Sequence, residues 1–61
     1  MMRKALIQYL NAQGCQLIRE GGNHSWWGNR DQNRRSAILG HPEVKEILVK
    51  RICKDLGIGT P

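Results

Sequence analysis

Apolar residues near the start of the chain recur at helical intervals, with Met2, Ala5, Leu6, Tyr9 and Leu10 on one side and Arg3, Lys4, Gln8 and Asn11 elsewhere. The spacing predicts an amphipathic helix that ends near Gln13, because Gly14 can take the left-handed conformation that closes a helix without steric cost. The period then changes. Cys15, Leu17 and Arg19 alternate with Gln16, Ile18 and Glu20, which reads as a short strand broken by Gly21 and Gly22. His24 to Asn29 is extended in character, the polar stretch Arg30-Asp31-Gln32-Asn33 reads as a turn, and a third strand is expected from Arg34 to Leu39.

Gly40-His41-Pro42 ends the extended region, and Pro42 suits a position just ahead of a helix, where its missing N–H costs nothing. Glu43 and Glu46 favour the start of that helix. Val44, Ile47, Leu48, Ile52 and Leu56 then fall on one face, Val49 and Cys53 widen the stripe, and Gly57 closes the end. Lys45, Lys50, Arg51 and Lys54 are left for solvent. The expected fold class is α+β, in the order α-β-β-β-α: a three-stranded antiparallel sheet with both helices burying their apolar stripes on one face. The other face stays open, and with no repeat or linker in view, function falls to that face and its loops.

The 61 residues are expected to form one domain, residues 1–61, burying only about 60% of the surface of the unfolded chain. With no phenylalanine, the core has to come from aliphatic side chains, the two cysteines and one tryptophan. Cys15 and Cys53 sit far apart inside apolar patterns, without the spacing of a zinc or redox motif, and read as reduced core residues. No signal peptide is apparent, and no apolar run approaches the roughly 18 residues that span a bilayer, so a cytoplasmic protein is expected. Ten Lys and Arg against five Asp and Glu give a formal net charge of +5. Such a surface attracts polyanions, although charge alone suits a merely soluble basic protein as well.

Particular side chains sharpen this picture. His24 follows two glycines at a strand start, where backbone can approach a phosphate closely and the imidazole can reach the open face. Taken from the residues alone, a histidine satisfied by a loop carbonyl is the more ordinary reading. Trp26 and Trp27 are neighbours on a strand and point to opposite faces, which puts Trp26 with His24 and Trp27 under the helices. An outward Trp26 suits stacking on an unpaired base or burial beneath a protein partner. Arg30, Arg34 and Arg35, offset only by Asp31, form a candidate phosphate clamp or else a solvated turn. His41, between Gly40 and Pro42, shapes a corner or donates to a phosphate. Neither histidine has Cys, Asp or Glu at ligand spacing, so no metal or cofactor is expected.

Three segments occur in an order that resembles the HicA toxins: Gly21-Gly22-Asn23-His24, then Arg34 through Pro42, then Leu48 through Ile58. The opening helix with its Gln13-Gly14 end is similar to that family's start, so the likeness covers nearly the whole chain. It departs from the common pattern at Leu39-Gly40 and in a longer hairpin from Asn29 to Asn33. The resemblance implies a fold like a double-stranded-RNA-binding domain, an endoribonuclease that cuts messenger RNA, and an antitoxin of the HicB type. It also implies that His24 is the catalytic histidine. RNA supplies its own nucleophile, the 2′-hydroxyl, so cleavage needs alignment, proton transfer and charge neutralisation. Imidazole, ordinarily titrating near pH 6.5, suits the proton transfers. The RNA-contacting residues expected beside His24 are Gly22, Asn23, Trp26, Arg30, Arg34, Arg35 and His41. A non-catalytic RNA-binding module and a small basic adaptor remain the competing readings.

Overall fold

The computed structural model describes residues 1–61. Its elements are α1 (Arg3–Ala12), β1 (Gln16–Glu20), β2 (His24–Asn29), β3 (Arg34–Leu39) and α2 (Glu46–Leu56). The strands form one antiparallel sheet in the order β1-β2-β3, the α+β arrangement expected from the pattern of the chain. A single cluster joins Leu6 and Leu10 of α1, Val49, Ile52, Cys53 and Leu56 of α2, Trp27 and Ile38 of the sheet, and Cys15 and Val44 from the connections. Both helices therefore bury their stripes on the same side of the sheet. Burial pushes the Cys15 and Cys53 thiols above their ordinary range, and at Cys53 the neighbouring Cys15 adds to the rise.

Each helix ends in the same way. Gly14 at φ +85° and Gly57 at φ +70° take the left-handed conformation, and the next residue donates its N–H five residues back, from Cys15 to the Leu10 carbonyl and from Ile58 to the Cys53 carbonyl. Carbonyls that a helix end would leave without partners are thereby satisfied. Two carbonyls in the last turn of α2 are met by the sheet. The buried Asn29 Nδ2 donates to the Leu56 carbonyl at 2.7 Å, and Arg34 Nη1 donates to the Lys54 carbonyl at 2.9 Å. Asn29 and Arg34 are register partners that flank the β2–β3 turn. That turn is a four-residue loop closed by the Asn33 N–H on the Arg30 carbonyl, with Asn33 itself at φ +52°, one of the few residues besides glycine that tolerates the region.

Of the apolar side expected for the first helix, Met2 and Ala5 are exposed, and three further details differ from the sequence reading. First, α2 begins at Glu46 rather than just after Pro42. Pro42 to Val44 runs extended against the first residues, with the Arg3 N–H on the Pro42 carbonyl at 2.8 Å and the Val44 N–H on the Met1 carbonyl at 2.7 Å. Val44 is buried, but from this bridge and not from the helix. Second, starting the helix at Glu46 turns Ile47 away from the core, where it is 74% exposed. Third, β1 does not alternate: its register slips between Leu17 and Arg19, and all five residues are exposed. As an edge strand it lies beyond the reach of the helices, whose buried residues meet Trp27 and Ile38.

The two unlike positions predict unlike costs. Asn29→Ala leaves the Leu56 carbonyl buried without a donor and is expected to cost about 1–3 kcal/mol, read as a lower urea midpoint at constant slope. Ile47→Lys is expected to stay within about 0.5 kcal/mol of wild type. An unchanged midpoint for the first, or a large drop for the second, contradicts this packing.

Candidate functional site

The period of β2 divides its side chains between two environments. Ser25, Trp27 and Asn29 are buried, while His24 and Trp26 are exposed on the other face. The buried set is tied down by polar contacts. Ser25 Oγ accepts from Trp27 Nε1 at 3.2 Å and from Arg3 Nη2 at 2.9 Å, and Arg3 Nε also donates to the Leu39 carbonyl at 3.0 Å. Arg3 thus clamps α1 to β2 and β3 directly behind the exposed residues. On β3, Ser36 Oγ donates to Asp55 Oδ2 of α2 at 3.3 Å, which holds that strand's inner side to the second helix.

His24 begins β2 at the end of a tight turn. Its carbonyl accepts the Gly21 N–H at 2.7 Å, and a side chain at Gly21 would bring a Cβ to 3.1 Å of that carbonyl oxygen. Glycine at this position therefore answers a close approach of backbone to backbone. Gly22 and Asn23 form the exposed tip, and the Asn23 carbonyl accepts the Gly40 N–H from the end of β3 at 3.1 Å. The imidazole of His24 faces solvent, with the half-exposed Leu39 as its register partner.

The register sets what surrounds it. Trp26 pairs with Arg19 on one side and Ala37 on the other, and Gly28 pairs with Gln16 and Arg35. The outward positions are then Gln16, Arg19, His24, Trp26, Gly28, Arg35, Ala37 and Leu39, together with Ile18, which the slip in β1 adds. None of them is a carboxylate. Ile18 lies over Gly28, where a Cβ would come within 2.6 Å of its Cδ1. A concavity of about 330 Å³ between Ile18, Arg19, Trp26 and Arg35 sits at the middle of this face.

Arg30, Arg34 and Arg35 line a second, open cleft of about 360 Å³ at the hairpin end, with Gln16, Leu17, Ile18, Gly28, Asn29 and Asn33. The three arginines do not play equal parts. Arg35 points to the open face and borders both hollows, Arg30 stands in the turn, and Arg34 already donates to the Lys54 carbonyl. From His24 to the hairpin the face runs the length of β2, about 17 Å at the usual rise per residue. His41 does not join this track. It lines a groove of about 550 Å³ between β3 and α2, with Ala37, Leu39, Val44, Leu48, Arg51 and Ile52 among its walls.

Arg19 and Ile18 belong to this face although alternation along β1 had separated them. The sign of it in the sequence is the adjacent apolar pair Leu17-Ile18, which no strict two-residue period accommodates. No group of three or more His, Cys, Asp or Glu side chains gathers anywhere in the molecule, and no helix is long and apolar enough to cross a membrane.

No curated protein and no solved structure matches the chain. One family model does, described as the HicA toxin of bacterial toxin–antitoxin systems, over residues 3–58. That span runs from the first residue of α1 to the Ile58 that closes α2, and so takes in every element of the fold and the whole open face. The chain belongs to the HicA toxin family.

Proposed function

We propose that this toxin is a metal-independent endoribonuclease that cleaves messenger RNA in the cytoplasm, with His24 as a general acid or base. The observation that carries the reading is a solvent-facing imidazole at one end of an uncovered sheet face that holds Arg19 and Arg35 and no carboxylate. Polyanions favour such a surface, and a phosphate held there meets no repelling negative charge. The fold then serves as an RNA platform of the kind the family resemblance implies, akin to a double-stranded-RNA-binding domain.

In the proposed step, the 2′-oxygen attacks the adjacent phosphorus and gives up its proton. The bond from phosphorus to the 5′-oxygen breaks, and that oxygen takes a proton. The products are a 2′,3′-cyclic phosphate and a 5′-hydroxyl. Imidazole serves as acceptor or donor of one of these protons, since one histidine fills one role at a time. Gly22 and Asn23, at the exposed tip beside His24, contact the RNA backbone. Trp26 stacks on a base, and Arg30, Arg34 and Arg35 meet phosphates at the hairpin cleft, while His41, in the groove beside α2, stands off that track. Guanidinium groups suit this because they pair with two phosphate oxygens at once and stabilise the charge that grows in the transition state. Because RNA brings its own nucleophile, the step calls on no metal-bound water. The toxin's partner is an antitoxin of the HicB type that covers this face.

His24→Ala is expected to fold as wild type by circular dichroism and to lose about 10²–10⁴ in cleavage rate, while wild type cuts single-stranded RNA in excess chelator and leaves cyclic phosphate ends. A His24→Ala protein that cuts at the wild-type rate ends the assignment. RNA left intact but bound by both proteins favours the non-catalytic RNA-binding module. For the cationic track, Arg35→Ala should weaken RNA binding and reduce the slope of log affinity against log salt by about one ion. An unchanged slope removes Arg35 from the phosphate contacts.

A further inference from the structure

The slip in β1 has a chemical consequence on the open face. Between Leu17, which faces Trp27, and Glu20, which faces Ser25, two residues of β1 stand against the single residue Trp26 of β2. An extra residue in one strand re-aims the side chains around it. Arg19 arrives beside the indole, and Ile18 folds over Gly28, where any larger residue would bring a Cβ within 2.6 Å of the Ile18 Cδ1. Across β2, the partner of Trp26 is Ala37, too small to overlay the ring. One diagonal step away, Arg35 supplies a second guanidinium. The result is a hollow of about 330 Å³ with an apolar wall, an aromatic ring 37% exposed, and a cation on each side.

We infer that Ile18, Arg19, Trp26 and Arg35 form a subsite for one unpaired nucleotide next to the scissile phosphate, and that Arg19 is a substrate-positioning residue of the reaction. The inference rests on the reading of the open face as the RNA surface and deepens it. The base stacks on Trp26 against Ile18, and the flanking phosphates pair with Arg19 and Arg35. Stacking on an aromatic ring with cations alongside is how proteins hold unpaired bases, and it needs no particular base identity. A base within a duplex offers no free face to such a ring, so the subsite selects single-stranded RNA. Trp26 and His24 are two residues apart on one face of one strand, about 6.6 Å along it. That separation matches the reach of a single extended nucleotide, so a base seated on Trp26 brings its own or its neighbour's phosphate to the imidazole.

The test reads binding, so that it stands apart from cleavage. A short fluorescein-labelled 2′-O-methyl RNA, which lacks the nucleophile, is titrated with wild type, Arg19→Ala, Trp26→Leu and Trp26→Phe, each checked for folding by circular dichroism. Arg19→Ala and Trp26→Leu are expected to bind roughly 5- to 100-fold more weakly, Trp26→Phe to recover most of the loss, and the same RNA as a duplex to bind less well than the single strand. Wild-type binding with both variants within two-fold of it overturns the subsite and leaves the ribonuclease reading standing. Equal affinity for duplex and single strand also overturns it. A wild-type protein that binds neither form removes the reading of the face itself.

Discussion

Everything on the open face depends on the burial of Trp27 from the central strand. With side chains alternating along β2, fixing Trp27 inward fixes His24 and Trp26 outward, and a slip of one residue would send the imidazole into the core. Several contacts hold that choice. Ser25 ties Trp27 to Arg3 of α1, Asn29 ties the far end of the strand to the last carbonyl of α2, and the Arg30–Asn33 turn sets the register with β3. In a chain this small, where the core is ten residues, such polar contacts matter more than they would in a larger domain. The same interactions that stabilise the sheet orient the face that serves the toxin.

The distribution of basic residues follows from this division. Arg3 and Arg34 turn inward and donate to carbonyls and to Ser25, where they join helices to strands. Arg19 and Arg35 turn outward beside Trp26. Net charge therefore says less than direction: two arginines on neighbouring positions of β3, Arg34 and Arg35, are committed to opposite sides of the sheet. Arg34 helps to position the hairpin as much as it offers charge to a ligand.

Much of the architecture could be read from local signals. The helix-ending glycines Gly14 and Gly57 take the left-handed conformation expected of them, the four polar residues Arg30 to Asn33 form the turn, and the opposite fates of Trp26 and Trp27 follow from the strand period. What was hidden depended on contacts distant in sequence. The start of α2 is displaced to Glu46 because Val44 pairs its backbone with Met1, a contact no window around Pro42 contains. That displacement also explains the exposure of Ile47. The bulge that brings Arg19 to Trp26 arises from pairing between strands, so the alternation of β1 alone assigned Ile18 and Arg19 to opposite sides.

In the proposed function, one face of the sheet receives RNA while the other is closed by helices. Mapping amide and indole NMR shifts of the labelled protein against an uncleavable single-stranded RNA tests it most directly. Shifts are expected at Arg19, Asn23, His24, Trp26, Arg35 and Ala37, with the Trp26 indole N–H moving and the Trp27 indole N–H still. Shifts confined to the solvent sides of α1 and α2, or to the groove between β3 and α2 around Leu48 and Arg51, would contradict it.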